Sequence, residues 1–121
     1  MKGKCGTDDA MFDWNKDLKK FEGYDFRIDI PDRENFNPLN EAVEVVLSTP
    51  AGERYSANFI TKKFIDYIFD KNRKTGECAN GTYFCMPNMI IIRELNERDV
   101  KTTIDDLIKN IEIESYFKKV D

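Results

Sequence analysis

The chain has 121 residues, of which 40% are hydrophobic and 35% charged, and its formal net charge is −4. This length fits one domain that can bury a core without metal or disulfide support, and the composition is that of a globular protein. No run of Lys or Arg is longer than two residues. Because a phosphate-binding surface needs clustered cations, we do not expect nucleic acid to be a direct ligand.

The absence of histidine limits the chemistry that this chain can perform. It removes the usual general base, a common metal ligand and every Ser-His or Cys-His pair. The cysteines, Cys5, Cys78 and Cys85, form no CxxC pair, so we interpret them as reduced thiols. Neither a signal-peptide core nor an apolar run of membrane-spanning length is present. We therefore expect a cytoplasmic, non-enzymatic protein with no metal, no cofactor and no membrane contact.

The first forty residues predict a flexible tail, a helix and a strand. Residues 1–8 carry no hydrophobic pattern and predict the tail. A helix is indicated by four apolar residues at helical spacing: Met11, Trp14, Leu18 and Phe21. Residues 24–30 alternate apolar and charged side chains, which predicts a half-buried strand that ends at Pro31. Residues 31–40 predict a polar loop.

The middle of the chain predicts a strand hairpin followed by a helix. Residues 41–48 and 54–60 read as strands around a turn at 49–52. In the second of them, Tyr55, Ala57 and Phe59 share one face. Thr61 can cap a helix from Lys62 to about Lys71, whose apolar stripe is Phe64, Ile65, Ile68 and Phe69.

The last third predicts a loop, a second hairpin and a helix. Residues 72–81 are polar, and residues 82–86 and 89–94 predict a hairpin across Pro87-Asn88. The nearly all-apolar start of its second strand predicts a central strand covered on both faces. Asn96 can cap the final helix, with an inward face of Val100, Ile104, Leu107 and Ile108. The tail from 113 to 120 predicts a short helical turn.

These elements predict an α+β protein: a single two-layer domain over residues 1–121, with a mainly antiparallel five-stranded sheet and about three helices.

The sequence patterns that could indicate catalysis or metal binding are incomplete in this chain. Asp70 and Asn72 begin an EF-hand spacing, but Thr75 and Gly81 stand where that loop needs Gly and Glu. Asp25 and Asp29 share a strand face with Arg27, which favours a solvated, salt-bridged surface.

Part of the chain resembles a known class of inhibitor. The resemblance covers roughly residues 41–118 and lies in Gly52, Tyr55, Asn58-Phe59-Ile60-Thr61, Thr75-Gly76-Glu77, Gly81, Tyr83-Phe84 and Met89-Ile90-Ile91-Ile92. These segments are similar to immunity proteins of bacterial polymorphic-toxin and contact-dependent growth-inhibition systems. The resemblance implies a cytosolic inhibitor that binds a cognate toxin domain, such as a nuclease, and blocks its active site or substrate entry. The acidic composition suits a basic partner.

Three functions are therefore open: an immunity-type inhibitor, a small enzyme that uses carboxylates or Tyr, and a structural or adaptor domain that dimerises through an exposed edge strand. For the inhibitor, we predict partner contacts on the acidic strand face and the 72–81 loop, with Asp25, Asp29, Glu77 and Tyr83 as contact residues. Charge reversal at the three acidic positions should then slow association. Whether the chain is a monomer or a weak dimer is left open by the sequence.

Overall fold

A computed structural model describes residues 19–30 and 36–120 of the chain. The complete helices are α1 (Lys62–Thr75), α2 (Glu77–Gly81), α3 (Glu97–Lys109) and α4 (Ile113–Tyr116). The strands are β1 (Asp25–Asp29), β2 (Ala42–Ser48), β3 (Arg54–Thr61), β4 (Met89–Ile92) and β5 (Lys118–Val120). The predicted tail at 1–8 lies outside the described residues, as do Met11, Trp14 and Leu18 of the predicted first helix.

The five strands form one open sheet in the order β1-β2-β3-β4, and β5 also pairs with β3. The β1–β2, β2–β3 and β3–β5 pairs are antiparallel, whereas β4 runs parallel to β3. The predicted α+β fold with a mainly antiparallel five-stranded sheet is therefore confirmed. Along one side of β3, β5 pairs with residues 54–56 and β4 with residues 58–61, so two short strands share that side.

The predicted hairpin of residues 82–86 and 89–94 is wrong. Residues 82–86 form no strand, and β4 pairs with β3 instead. Parallel neighbours need a crossover connection, and α1, α2 and the segment 82–88 provide it. The fifth strand is β5, which lies where the sequence predicted only helix. The predicted helical turn in this tail is confirmed for α4.

The prediction that Met89-Ile90-Ile91-Ile92 forms a central strand is also wrong. β4 is the last strand of the sheet, and the Ile91 side chain is 59% exposed. Continuous apolar runs are typical of strands covered on both faces. The composition of β4 is therefore that of a covered strand, while its position in the sheet is that of an edge.

The main core lies on one face of the sheet, while Val46 of β2 and Ile60 of β3 are buried on the other face. Tyr55, Ala57 and Phe59 of β3 point into it, as the alternation predicted. The rings of Phe59 and Phe117 meet edge to face with centroids 6.0 Å apart. Burial of each such side chain stabilises the fold by roughly 1.5–3 kcal/mol. The other buried members are Phe21, Val43, Val45, Leu47, Ile92, Leu95, Val100, Ile104 and Ile113.

The helix starts agree with the predicted caps. The Thr61 hydroxyl accepts a hydrogen bond from the Phe64 amide, and the Asn96 side chain accepts one from the Asp99 amide. Helix α1 is longer than predicted, because it continues to Thr75. Gly76 ends it in the left-handed conformation, with φ of 89°, and donates its amide hydrogen bond to the Asn72 carbonyl.

Candidate partner-binding surface

The second face of the sheet carries a group of charged side chains on β1 and β2. We call Asp25, Arg27, Asp29 and Glu44 the strand-face cluster. In the β1–β2 register, Asp29 lies directly opposite Glu44. The Arg27 Nε donates a hydrogen bond of 2.8 Å to the Asp29 carboxylate. The predicted salt-bridged strand face is therefore present.

The electrostatics of the strand-face cluster are unbalanced. Like charges directly opposite each other on neighbouring strands destabilise a sheet, and Asp29 faces Glu44 in this way. The hydrogen bond to Asp29, and to a smaller extent the charge of Glu44, raise the pKa of Arg27. The single guanidinium of Arg27 thus interacts with the carboxylates of both Asp29 and Glu44. Asp25 adds a third carboxylate on the same face. The cluster carries more negative than positive charge.

An open cleft lies at the Asp29–Glu44 end of this surface. It has a volume of about 450 Å³ and is lined by Asp29 and Glu44 together with Ile30, Ala42 and Val43. A cleft lined by apolar side chains and two carboxylates can accept the aliphatic stem and the charged head of a Lys or Arg side chain. The cleft is therefore complementary in charge to a cationic side chain.

The other two predicted contact residues lie elsewhere in the fold. Glu77 begins α2, and its carboxylate accepts hydrogen bonds from Lys71 at 2.6 Å and from Thr75 at 3.0 Å. These bonds, that of Lys71 first, lower the pKa of Glu77. Tyr83 follows α2 and is 54% exposed. The predicted contact residues are thus divided between β1 and the α2 region.

The surface around α1 differs in charge from the strand-face cluster. Helix α1 has five basic and two acidic residues, although the chain as a whole is acidic. Tyr67, on the same helix, is 51% exposed. Glu77 and Tyr83 therefore lie beside a basic surface, which fits a basic partner less well than the strand-face cluster does.

Glu44 was absent from the predicted contact residues. Its signal was present in the sequence, since the apolar residues of β2 at 43, 45 and 47 alternate with it and place it on the opposite face. Its position opposite Asp29 could not be read from the sequence. That position depends on the β1–β2 register, and the connection between these strands is long.

A second polar cluster consists of Tyr55 and four charged residues: Lys20, Glu53, Glu114 and Lys119. The Lys20 ammonium lies 2.5 Å from the Glu114 carboxylate. The Tyr55 hydroxyl lies 3.2 Å from the Glu53 carboxylate and 3.3 Å from that of Glu114. Lys119 reaches Glu53 at 3.3 Å. We call this group the Tyr55 cluster; it borders an open cleft of about 480 Å³.

The Tyr55 cluster is balanced in charge, with two lysines and two glutamates. The pKa of Lys20 is raised, mainly by its hydrogen bond to the Glu114 carboxylate. The hydrogen bond from Lys119 lowers the pKa of Glu53, whereas a carboxyl that acts as a general acid needs a raised pKa. The bonds join Lys20 and β3 to α4 and β5. This geometry favours a role in holding the C-terminal segment on the sheet.

The remaining candidate chemistry concerns thiols and metals. Cys78 is half-buried, Cys85 is exposed, and both are free thiols; Cys5 lies outside the described residues. Within residues 19–30 and 36–120, no group of three or more His, Cys, Asp or Glu side chains is placed to hold a metal ion. The helices of the same part of the chain are all too short or too polar to span a membrane.

Comparisons with known proteins give no relative from which a function could be transferred. The chain matches no protein-family model, no curated protein and no solved structure at a significant level.

Proposed function

We propose that the protein is an immunity-type inhibitor, which binds a toxin domain in the bacterial cytoplasm and blocks its active site or substrate entry. The observation that carries this proposal is the Asp29–Glu44 pair. Two carboxylates lie opposite each other on an exposed strand face beside an open cleft. Such a pair destabilises the free domain. A cationic side chain from a partner would relieve the repulsion.

The strand-face cluster supports a specific manner of binding. Many toxins of this kind are nucleases, whose substrate sites are basic because they hold phosphates. An acidic surface steers association with such a site and competes with the substrate for it. The Arg27 side chain is exposed and bonds to Asp29. It would turn away from Asp29 when an incoming Lys or Arg takes its place.

The test uses the protein encoded directly upstream of this chain, since a toxin and its inhibitor are expected to be neighbours. We expect a one-to-one complex of the purified proteins, and growth rescue when the two are produced together. An upstream product that neither binds nor inhibits growth would overturn the proposal.

Two charge-reversal variants test the placement of the contact. Glu44→Lys should slow association at least about tenfold at low salt and flatten its salt dependence. Asp66→Lys, an equal charge change on exposed α1, is the control and should leave the association rate near that of the unchanged protein. Equal effects of the two variants would contradict the placement on the strand-face cluster.

A further inference from the structure

Among residues 19–30 and 36–120, β4 pairs with β3 alone, so its outer side is an unpaired strand edge within this part of the chain. The Asn58 amide donates a hydrogen bond of 2.9 Å to the Asn88 carbonyl, and Asn58 is in register with Met89. In a parallel ladder this pattern turns the amides of Ile90 and Ile92 towards β3. The amides and carbonyls of Met89 and Ile91 therefore point away from the sheet. Among the described residues, the ladder with β3 provides the only backbone hydrogen bonds to residues 89–92.

The side chains of β4 do not protect this edge. Natural edge strands are usually blunted by charges, Pro or bulges, but Met89, Ile90, Ile91 and Ile92 are all apolar. Ile91 has the largest exposure of the large apolar side chains in the described residues, at 59%. The strand thus combines unpaired backbone groups, an exposed Ile and an uncharged sequence.

We propose that a second copy of this chain pairs with β4, antiparallel and about a two-fold axis at Ile91. Only the outward-pointing residues can form the new ladder, so Ile91 lies opposite Ile91 of the second copy and the two exchange both backbone hydrogen bonds. Met89 then lies opposite Arg93 of the second copy. No like charges face each other in this register, and the two sheets become one continuous sheet.

The second copy fits this edge because the same uncharged strand is present on both sides of the contact. The exposed Ile91 side chains become a cross-strand pair, which adds to the stabilisation from the hydrogen bonds. The contact is small, since stable complexes bury about 1,200–2,000 Å² in total. We therefore expect a weak dimer, with a dissociation constant on the order of 100 µM. This inference is independent of the proposed inhibitor function, because the strand-face cluster lies at the other end of the strand order.

Sedimentation equilibrium of the whole chain from about 20 µM to about 1 mM tests the proposal. The average mass of the unchanged protein should rise from near the monomer value of 14.2 kDa towards twice that value. Ile91→Lys should stay at the monomer mass at every concentration, because its charge would face its own copy. Leu39→Lys is the matched control, since Leu39 is also an exposed apolar residue, at 49%. It should associate like the unchanged protein.

Three results would overturn the proposal: an unchanged protein that remains monomeric throughout the range, an Ile91→Lys variant that still dimerises, or a Leu39→Lys variant that loses association equally. Thermal unfolding of both variants should remain within a few degrees of the unchanged protein, because substitutions at exposed positions usually have only small effects on stability. Failure to dimerise would leave the toxin-binding test of the strand-face cluster unaffected.

Discussion

The two edges of the sheet are built in opposite ways. Strand β1 alternates Asp25, Arg27 and Asp29 on its exposed face, whereas β4 carries no charge at all. If β1 paired with a second copy about its central residue, Arg27 would face Arg27 of that copy and Asp25 would face Asp29. Such like-charge pairs oppose self-association. The corresponding register of β4 meets no such repulsion.

The difference supports the proposal of different partners for the two edges. A charged edge selects a partner of complementary charge and rejects a copy of itself, which suits a cationic surface on another protein. An uncharged, apolar edge accepts an identical strand. The proposed inhibitor function therefore belongs to the β1–β2 side of the molecule, and the proposed self-association belongs to the β4 side.

The largest expected effect comes from β3, which connects the two edges. Phe59 is fully buried on β3 and packs against the Phe117 ring. Phe59→Ala should lower the free energy of unfolding by about 3–5 kcal/mol, because the cavity adds to the lost burial. Chemical denaturation measures this change. Tyr83→Ala, at an exposed position, is the control and should change stability by no more than about 0.5 kcal/mol; a comparable loss in both variants would contradict the assigned core.

The crossover that leads to β4 can be tested at Gly81. Gly81 has a φ of +79°, and a Cβ there would lie 2.8 Å from the Phe69 carbonyl oxygen and 2.9 Å from the Arg73 amide nitrogen. Gly81→Ala should therefore destabilise the protein by about 2 kcal/mol or more, from left-handed strain together with the backbone clash.

Gly52 provides the matched control for this substitution. It also has positive φ, +95°, but a Cβ there meets nothing within 4 Å. Gly52→Ala should cost only the strain of the left-handed conformation, about 1 kcal/mol. Urea denaturation of both variants gives the two losses. Equal losses would show that α2 does not pack tightly against α1.

The sequence predicted which segments form strands better than it predicted which strands pair with each other. Alternation in residues 24–30 and 54–60, and the valine-rich composition of 41–48, were sufficient for β1, β2 and β3, because both are local signals. The pairing of β4 with β3 was missed, since it depends on a crossover of 27 residues between Thr61 and Met89. The three residues of β5 are too few to show a period. Strand pairing over such distances is decided by tertiary packing.

The candidate site was predicted only in part, for the same reason. Asp25, Asp29 and Arg27 were placed on one strand face by alternation, and the structure agrees. Glu44 joins them only through the β1–β2 register. Glu77 and Tyr83 were predicted as contact residues together with Asp25 and Asp29. The structure instead places them beside basic α1.

Tyr24, which directly precedes β1, links this edge of the sheet to helix α3. Its hydroxyl donates a hydrogen bond of 2.6 Å to the Asp105 carboxylate on α3. Burial, and then this bond, raise the pKa of Tyr24 from 10.0 to about 12. Between pH 10 and about 12, the Tyr24 hydroxyl is deprotonated in the unfolded chain but still protonated in the folded chain. The stabilisation is therefore complete below pH 10 and is lost as the pH rises through 12.

Tyr24→Phe tests this linkage. At neutral pH the variant should be less stable by about 1 kcal/mol, the usual value of one hydrogen bond. Its stability should also fall less steeply than that of the unchanged protein between pH 10 and 12. Denaturation at several pH values measures both effects. Parallel pH profiles of the two proteins would contradict the assigned role of the Tyr24–Asp105 bond.

The smallest expected effect concerns the repulsion within the strand-face cluster. Glu44→Thr removes the carboxylate opposite Asp29 and introduces a residue that favours strands. The free protein should become more stable by about 0.2–1 kcal/mol at low salt, while binding to a basic toxin domain weakens. Denaturation at low and high salt measures the gain, which should shrink as salt screens the repulsion. A loss of stability would show that Arg27 neutralises both carboxylates.

The contrast between the two edges is tested most directly by amide hydrogen exchange, resolved by residue, in a dilute and a concentrated sample of the unchanged protein. We expect the outward amides of Met89 and Ile91 to exchange more slowly at high concentration, while the exchange rates of β1 residues 25–29 stay constant. Protection that increases at β1, or exchange at Met89 and Ile91 that does not depend on concentration, would contradict the assignment of self-association to the β4 edge.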